Sequence, residues 1–382
     1  MSRRWLLPHG VEDVLPPQAG VLYRHSRDLL ELCGLHGYQP ILPALFEFTE
    51  SLLLDSENEL DLRTGKLIDQ HSGRMLGVRA DFSAQAARIY ARNFYPDAPV
   101  RLCYFGELLH ARGGSNNRIP LRIGAELFGS SGMDASIEVA RLLSECLSAS
   151  GVDESFWVVG HGGLFQHLAR DLPPDVRGEI QAALQRKDLD EMRKLGAPEE
   201  LILLGTLYGA AADFDRAVSA LEGDPVCTRS VAEVRALIDG LGQPAGNVSF
   251  DLGEVHGCTY HTGVVFAAFA PGYGSVIARG GRYDELASRF GHSVSATGFD
   301  LDLRALLTEL PADASNARAQ AVYAPAEVDD ETIDRLRQSG RPVVRALEGD
   351  QGARACGCGA ELRLNEAGAW QVAELAEERS GQ

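Results

Sequence analysis

The stretches VRLCYFGELL at 100–109 and LRIGAELFG at 121–129 decide the fold. Apolar and polar side chains alternate along both runs, which predicts two strands, and the polar segment GGSNN at 113–117 predicts the loop between them. A connection of this kind joins antiparallel neighbours. We therefore expect a sheet that is built around one long antiparallel pair.

Several elements are predicted before this pair. Apolar residues at helical spacing predict a helix over 18–36, and two prolines predict an extended segment over 38–43. Two strand-like runs on either side of a glycine turn predict a hairpin within 63–82. A helix is expected over 83–93, with Ser83 as its N-cap.

The chain beyond the pair alternates between helix and strand patterns. Residues 134–150 predict a helix, and residues from about 164 to 245, rich in Ala, Leu, Glu and Arg and broken at prolines, predict a helical insertion. Further strands are predicted at 156–159, 248–251, 264–269 and 274–278. A helix is predicted over 300–309. Strands on both sides of the insertion are expected to share one sheet.

A second, smaller domain is expected at the C-terminal end. Residues 311–319 have the composition of a linker, which leaves 1–310 as the core and 320–382 as a small α/β domain. In the small domain the pattern predicts a strand, a helix, a strand and a hairpin, at 320–325, 330–339, 342–347 and 361–375. The predicted fold class is α+β: a mixed, mainly antiparallel sheet flanked by helices, with a helical insertion and a small C-terminal domain.

Composition excludes several classes of function. The 382 residues carry 36 Lys and Arg against 54 Asp and Glu, and the net charge of -18 disfavours a partner held through phosphates, such as tRNA or DNA. No run of about 18 apolar residues predicts a membrane span. Seven cysteines, an odd number and mostly isolated, favour reduced thiols and a cytoplasmic location.

Three motifs occur in order along the chain, and the last of them is rich in glycine. GGRYD at 280–284 lacks the third glycine of a dinucleotide fingerprint, so on its own it predicts a glycine turn that ends a strand. HGCTYHTG at 256–263 lies shortly upstream, and RADFS at 79–83 precedes both. The presence of all three motifs favours a functional interpretation over three unrelated turns.

The order of these motifs resembles the core of the class II aminoacyl-tRNA synthetases, specifically the histidyl-tRNA synthetases, over about residues 8–310. In that family, residues 38–43 would be the dimer-forming motif, 101–129 the antiparallel pair of the second motif, and 298–303 the strand-to-helix third motif. The resemblance implies the α+β fold given above and self-association through 38–43.

The resemblance also implies a pocket for histidine. The residues that match the family's amino-acid pocket are Asp81, Ser83, Arg122, Glu126, Tyr260, His261 and Tyr283. Asp81 and Ser83 would receive the ammonium group and Glu126 the imidazole, while aromatic rings would wall the pocket. Two positions depart from the family, because Arg122 stands in place of a glutamine and His261 in place of a tyrosine.

The positions that would handle ATP have changed more. His110, His256 and Ala305 stand where the family has arginines, and Asp302 stands where it has a glycine beside the phosphates. A neutral imidazole does not replace a guanidinium that grips phosphate. Arg304 is adjacent to a lost arginine, but one residue along a helix turns a side chain by about 100°. We expect neither ATP chemistry nor a cofactor.

A histidine pocket without ATP chemistry, joined to a tail too short for an anticodon-binding domain, resembles the regulatory subunits of ATP phosphoribosyltransferase. The strings at 60–70, 78–81, 123–129 and 260–267 fit that family. The resemblance implies a non-catalytic subunit that works with a short-form catalytic subunit in a hetero-oligomer. Such a subunit supports the first step of histidine biosynthesis and transmits feedback inhibition by histidine.

Two other functions stay open: a divergent ligase that forms an aminoacyl-adenylate, and an adaptor that binds a partner but no small ligand. A metal site is disfavoured, because Cys356 and Cys358 lack a second ligand pair and the histidines named above match positions with other roles. Three arginines surround the polar loop, where a solvated hairpin face is favoured over phosphate binding: Arg112, Arg118 and Arg122.

Overall fold

The structure, a computed structural model, describes residues 6–53, 59–94, 98–112, 117–221, 223–254, 261–291, 293–307 and 320–375. The chain divides into two compact units. One comprises Met1–Asp13 and Leu22–Leu310, and the other comprises Val14–Val21 and Pro311–Gln382. The predicted linker at 311–319 lies outside the described residues.

The N-terminal unit is built on a large sheet. Its strands in chain order are β1 (Gln39–Pro40), β2 (Phe46–Phe48), β3 (Gly65–Ile68), β4 (Met75–Val78), β5 (Val100–Glu107), β6 (Leu121–Phe128), β7 (Phe156–His161), β8 (Tyr208–Ala210), β9 (Val248–Asp251), β10 (Val264–Phe269), β11 (Ala278–Tyr283) and β12 (Ala296–Asp302). Within the described residues, nine of them form one sheet in the order β1-β5-β6-β12-β11-β10-β7-β9-β8, and β2-β4-β3 form a second. Neighbours in the large sheet are antiparallel except β1 with β5 and β7 with β9. The predicted pair, β5 and β6, and the mixed, mainly antiparallel sheet are confirmed.

Helices flank this sheet on both faces. The helices of this part of the chain are α1 (Gln18–Leu35), of which residues 18–21 fall in the other unit, α2 (Thr49–Leu52), α3 (Glu59–Arg63), α4 (Ser83–Asn93), α5 (Met133–Ala149), α6 (Gly162–Leu168), α7 (Pro174–Gln185), α8 (Leu189–Lys194), α9 (Glu199–Leu204), α10 (Phe214–Val218) and α11 (Pro225–Gly240). On α4, Tyr90 stacks on Phe128 at a centroid distance of 4.6 Å. On α5, Ser136 lies 3.3 Å from the hydroxyl of Thr297. Phe128 pairs with Ala296, so Thr297 points to the opposite face.

The segment from α6 to α11 is mainly helical. Its one element that the sequence pattern did not indicate is β8, a three-residue strand that pairs antiparallel with β9 at the edge of the sheet. Asp224 is the N-cap of α11, and its carboxylate accepts the backbone N–H groups of Val226 and Cys227 at 2.7 and 3.1 Å. In the described part of the chain, no helix is both long and apolar enough to cross a membrane.

The register of three central strands positions the candidate site. Two rows of paired residues cross β6, β12 and β11, namely Glu126–Gly298–Gly281 and Gly124–Asp300–Arg279. Residues two apart on a strand point to the same face. Both rows therefore face the same side of the sheet, which is the side that carries α4.

The predicted strand at 274–278 is wrong. The strand begins at Ala278 and runs to Tyr283, so Gly280 and Gly281 lie inside it and form no turn. A Cβ at Gly280 would lie 2.4 Å from the ring of Phe266, and a Cβ at Gly281 would lie 2.7 Å from the ring of His261. These glycines are needed because side chains of other segments pack directly on the strand.

Two further local predictions are wrong. The helix expected over 300–309 is absent from its described residues, because β12 continues to Asp302 and turns follow up to residue 307. The Asp302 carboxylate accepts the N–H groups of Arg304 and Ala305 at 3.1 Å, and this bonding favours a turn. Ser83 is the first residue of α4 and not its N-cap, and its hydroxyl makes no cap bond.

The C-terminal unit is a small α/β structure. It contains β13 (Val322–Ala324), α12 (Asp330–Gln338), β14 (Val343–Arg345), β15 (Ala360–Leu364) and β16 (Trp370–Glu374). The sheet order is β14-β13-β15-β16, with β13 parallel to both neighbours and β15 antiparallel to β16. The predicted strand, helix, strand and hairpin are all present. Asp329 caps α12 by accepting the N–H of Thr332 at 2.8 Å.

Candidate ligand-binding site

A cavity of about 1260 Å³ lies on the face of the sheet that carries Glu126. Its walls come from β6, β10, β11 and β12, from the start of α4, and from α6 and α7. The cavity lies wholly within the N-terminal unit. It is large enough for a small molecule with room to spare.

Glu126 is a fully buried carboxylate that three hydroxyl groups hold. Its Oε1 accepts hydrogen bonds from Ser83 at 2.8 Å and Tyr104 at 3.1 Å, and its Oε2 accepts one from Tyr283 at 2.5 Å. A Cβ at Gly298, the residue opposite, would lie 1.7 Å from Oε2, so the carboxylate fits only against glycine. Burial raises the pKa of Glu126 to about 8, although the hydroxyl groups act in the opposite direction.

Asp81 lies beside this carboxylate at the start of α4. It accepts the backbone N–H of Ser83 at 2.7 Å, which fixes the turn into the helix. Burial raises the pKa of Asp81, and the negative charge of Asp300 adds to this, while Arg63 opposes it. Asp81 lines the cavity and Glu126 lies directly behind its wall, so a cationic ligand in the cavity would favour the ionised forms of both carboxyl groups.

Arg122 does not stand free in the cavity. Its guanidinium pairs with Asp300 at 2.7 Å and with Asp302 at 3.5 Å. Burial works against the charged form of Arg122, but the two carboxylates outweigh it and raise its pKa. The positive charge is thus neutralised within the protein.

His110 is a neutral acceptor. Its Nε2 lies 2.8 Å from the guanidinium of Arg63, and burial, followed by the charges of Arg63 and Arg122, lowers the pKa of the imidazole to about 4. Arg304, adjacent to Ala305, donates to the backbone carbonyls of Ile119 at 3.3 Å and Glu12 at 2.7 Å. The changed positions that the structure describes therefore supply no free cation for a phosphate.

The structure brings together most of the residues that the sequence indicated. Asp81, Ser83, Arg122, His261 and Tyr283 line this one cavity, and Glu126 lies directly behind Ser83 and Tyr283, which both donate hydrogen bonds to it. The His261 ring lies edge-on to Tyr283 at a centroid distance of 6.5 Å. Tyr260 and His256 lie outside the described residues.

Sequence reasoning missed Tyr104, Arg63 and Asp300. Tyr104 lies on β5 two residues after Leu102, the partner of Glu126, so the alternation of β5 already placed both on one face. Arg63 lies at the end of α3 in a stretch that was used only for the family resemblance. Asp300 became visible only through the register of β12 with β6.

One cluster of metal-ligating side chains occurs in the described residues, and it differs from the candidates that the sequence raised. His167, Asp224 and Cys227 bring their ligand atoms within 4.8 Å of one another. Asp224 caps α11 and pairs with His167 at 2.9 Å, while Arg170 also approaches the imidazole. These contacts are those of a capped helix with an ion pair.

Comparisons with known proteins agree with this structure. A model of histidyl-tRNA synthetase matches residues 10–306, and a model of the ATP phosphoribosyltransferase subunit HisZ C-terminal domain matches residues 319–373. The ATP phosphoribosyltransferase regulatory subunit of Thioalkalivibrio sulfidiphilus is 40% identical over 98% of this chain and 99% of its own length.

Two solved structures share the fold. An ATP phosphoribosyltransferase regulatory subunit/histidyl-tRNA synthetase from Bacillus halodurans has a TM-score of 0.79 and 27% identity, covering 93% of this chain and 96% of that one. Histidyl-tRNA synthetase from Nostoc sp. PCC 7120 has a TM-score of 0.75 and 17% identity, covering 98% of this chain and 97% of that one. The class II synthetase-like fold is confirmed. Since a relative of the same length is 40% identical and both family models match, the chain belongs to the family of ATP phosphoribosyltransferase regulatory subunits.

Proposed function

We propose that this chain binds the short-form catalytic subunit of ATP phosphoribosyltransferase, enables it in the first step of histidine biosynthesis, and transmits feedback inhibition by histidine. Family membership supports the partner. The observation that carries the ligand is the buried Glu126 carboxylate, held by three hydroxyl groups beside Asp81.

Histidine suits the chemistry of this cavity. Its imidazole and its ammonium group are both donors, and Glu126 and Asp81 are both acceptors. Tyr283 and His261 provide aromatic surface next to Glu126. Histidine alters the partner only if it binds two states of the complex with different affinities, and a typical coupling is about 1–3 kcal/mol.

A test of this function mixes the chain with a short-form catalytic subunit and measures the formation of phosphoribosyl-ATP. We expect activity to depend on the chain and to fall when histidine is added. Calorimetry on the chain alone and on the complex then shows whether this chain binds histidine by itself or only when assembled. Full activity of the catalytic subunit without the chain contradicts the enabling role. Activity that does not change when histidine is added favours an adaptor that binds no small ligand.

Adenylate formation is expected to be absent. Histidine-dependent exchange of labelled pyrophosphate into ATP should stay at background, because ATP carries about four negative charges and loss of a single preorganised donor typically costs about 2.7–4 kcal/mol. Here His110 is neutral and Arg122 is paired with two carboxylates. A histidyl-tRNA synthetase serves as the positive control. Exchange above background would establish the ligase instead.

Self-association forms part of the same proposal. The segment after β1 and the small sheet expose large apolar side chains: Leu42 is 90% exposed, Leu45 54%, Phe46 53% and Ile68 64%. Large apolar side chains that are exposed on neighbouring segments are typical of protein interfaces. A second copy of the chain is the partner that the dimer motif at 38–43 implies.

Replacing Leu42 and Phe46 together by aspartate is expected to convert the assembled chain into monomers, because two buried carboxylates without partners would face the interface. Light scattering after size-exclusion chromatography measures the mass. The control is Leu364→Asp, which changes an equally apolar residue, 58% exposed, in the C-terminal unit. A wild-type monomer, or an unchanged mass in the double variant, contradicts the interface.

A further inference from the structure

The proposed histidine site lacks a partner for one group of the ligand. An amino acid carries a carboxylate, whereas Asp81 and Glu126 are themselves carboxylates and repel it. If the proposed function holds, a side chain of the cavity must receive that carboxylate. The candidate must be a cation that faces the cavity and is not already neutralised.

Most cations of the cavity are committed elsewhere. Arg122 pairs with Asp300 and Asp302. Arg63 donates to His110, and its charge acts on Asp81 at the ammonium end. The contacts of Arg304 are with backbone carbonyls.

Arg177 on α7 and Arg279 are the two cavity arginines without a hydrogen bond or ion pair in the described part of the chain, and of these only Arg279 lies on the sheet that carries Glu126. It lies on β11 directly opposite Asp300, and its side chain lines the cavity and is exposed to it. It is two residues from Gly281 and four from Tyr283, so all three share a face of the sheet. In the described part of the chain, Arg279 makes no hydrogen bond and no ion pair.

The register also gives the span between Arg279 and Glu126. Glu126 and Gly281 are separated by the single strand β12, and Arg279 lies two residues further along β11. Strand spacings of about 4.8 Å and a rise of about 3.4 Å per residue place the two Cα atoms about 12 Å apart. Side chains stand roughly perpendicular to a sheet, so these two flank a span that suits a small amino acid.

We propose that Arg279 binds the α-carboxylate of histidine, while Glu126 receives the imidazole and Asp81 the ammonium group. A guanidinium forms two parallel hydrogen bonds to a carboxylate, which fixes the orientation of the ligand. Arg279 thus makes the site specific for a free amino acid. Histamine, which keeps the ring and the amine but has no carboxylate, lacks this contact.

Calorimetry with histidine and with histamine tests the assignment on the full chain. In Arg279→Gln, histidine affinity is expected to fall by about 10-fold to 100-fold, the range of a charge-assisted hydrogen bond, while histamine affinity changes little. The matched control is Arg177→Gln on α7, which removes the same charge from the same cavity. It should leave both affinities unchanged.

Three outcomes separate the claims. Equal weakening of histidine and histamine by Arg279→Gln, or no weakening of either, overturns the carboxylate assignment and leaves the histidine site in place. An Arg177→Gln loss as large as that of Arg279→Gln also overturns it, because the effect would then be the general charge of the cavity. A wild-type chain that binds no histidine, alone or in the complex, overturns the proposed function itself.

Discussion

Replacing Glu126 by glutamine is expected to weaken histidine binding by about 100-fold and to abolish the histidine response of the reconstituted complex, since truncating one partner of a buried, hydrogen-bonded charge pair costs about 2–5 kcal/mol. The amide keeps the volume of the carboxylate, so the fold should persist. It loses the carboxyl group that Tyr283, Ser83 and Tyr104 surround, and with it the ability to share a proton with the imidazole. Calorimetry gives the affinity, and the phosphoribosyl-ATP assay gives the response.

The matched control for this variant is Glu285→Gln. Glu285 lines the same cavity but is exposed, so the same substitution is made there without touching the buried site. Its histidine affinity should equal that of the wild type. If Glu126→Gln also binds histidine as the wild type does, the imidazole is not held by Glu126 and the pocket assignment fails.

The pH dependence of histidine affinity provides a second readout of the same contact. Imidazole has a pKa of about 6.5, and burial raises that of Glu126 to about 8. Bound together they share one proton, so below about 6.5 a proton must leave and above about 8 one must be taken up. Affinity should therefore be highest between these values and fall on both sides. Glu126→Gln should remove the fall at the alkaline side.

Replacing Gly124 by alanine is expected to destabilise the N-terminal unit by about 3 kcal/mol or more. The added Cβ would lie 2.4 Å from the carbonyl oxygen of Phe299 and 2.5 Å from the hydroxyl of Tyr104. The first is backbone of the paired strand β12 and cannot move away without breaking the register. The midpoint of urea unfolding, compared with that of the wild type, measures the loss of stability.

Gly178→Ala is the control for this substitution. Gly178 lies inside α7, and a Cβ there would meet nothing within 4 Å. Alanine should stabilise this helix by up to about 1 kcal/mol. A Gly124→Ala chain as stable as the wild type would show that β6 and β12 are not in the register described here.

The sequence alone predicted the long elements and failed at short ones. Alternation over eight residues identified β5 and β6, because a strand of that length repeats its pattern several times. Gly280 and Gly281 were assigned to a turn because no local pattern reveals that the rings of Phe266 and His261 press on the strand. The packing of distant residues decided those positions.

The candidate site was predictable only in part, and for a related reason. The resemblance to the synthetases brought Asp81, Ser83 and Glu126 together, although 43 positions separate Ser83 from Glu126 in the chain. Tyr104 and Arg279 required the register of neighbouring strands, which composition and periodicity leave open. The resemblance also marked Arg122 as a ligand residue, whereas the structure shows that two aspartates neutralise it.

The pairing of Arg122 with Asp300 and Asp302 imposes an order on any evolutionary return to nucleotide use. Reverting Arg122 to glutamine first would leave two neighbouring acids without a counter-ion, which is strongly unfavourable in a shielded setting. If Asp302 is reverted to glycine first, Arg122 keeps its shorter ion pair, which is with Asp300 at 2.7 Å. The two ion pairs therefore favour one order of substitution, in which Asp302 changes before Arg122.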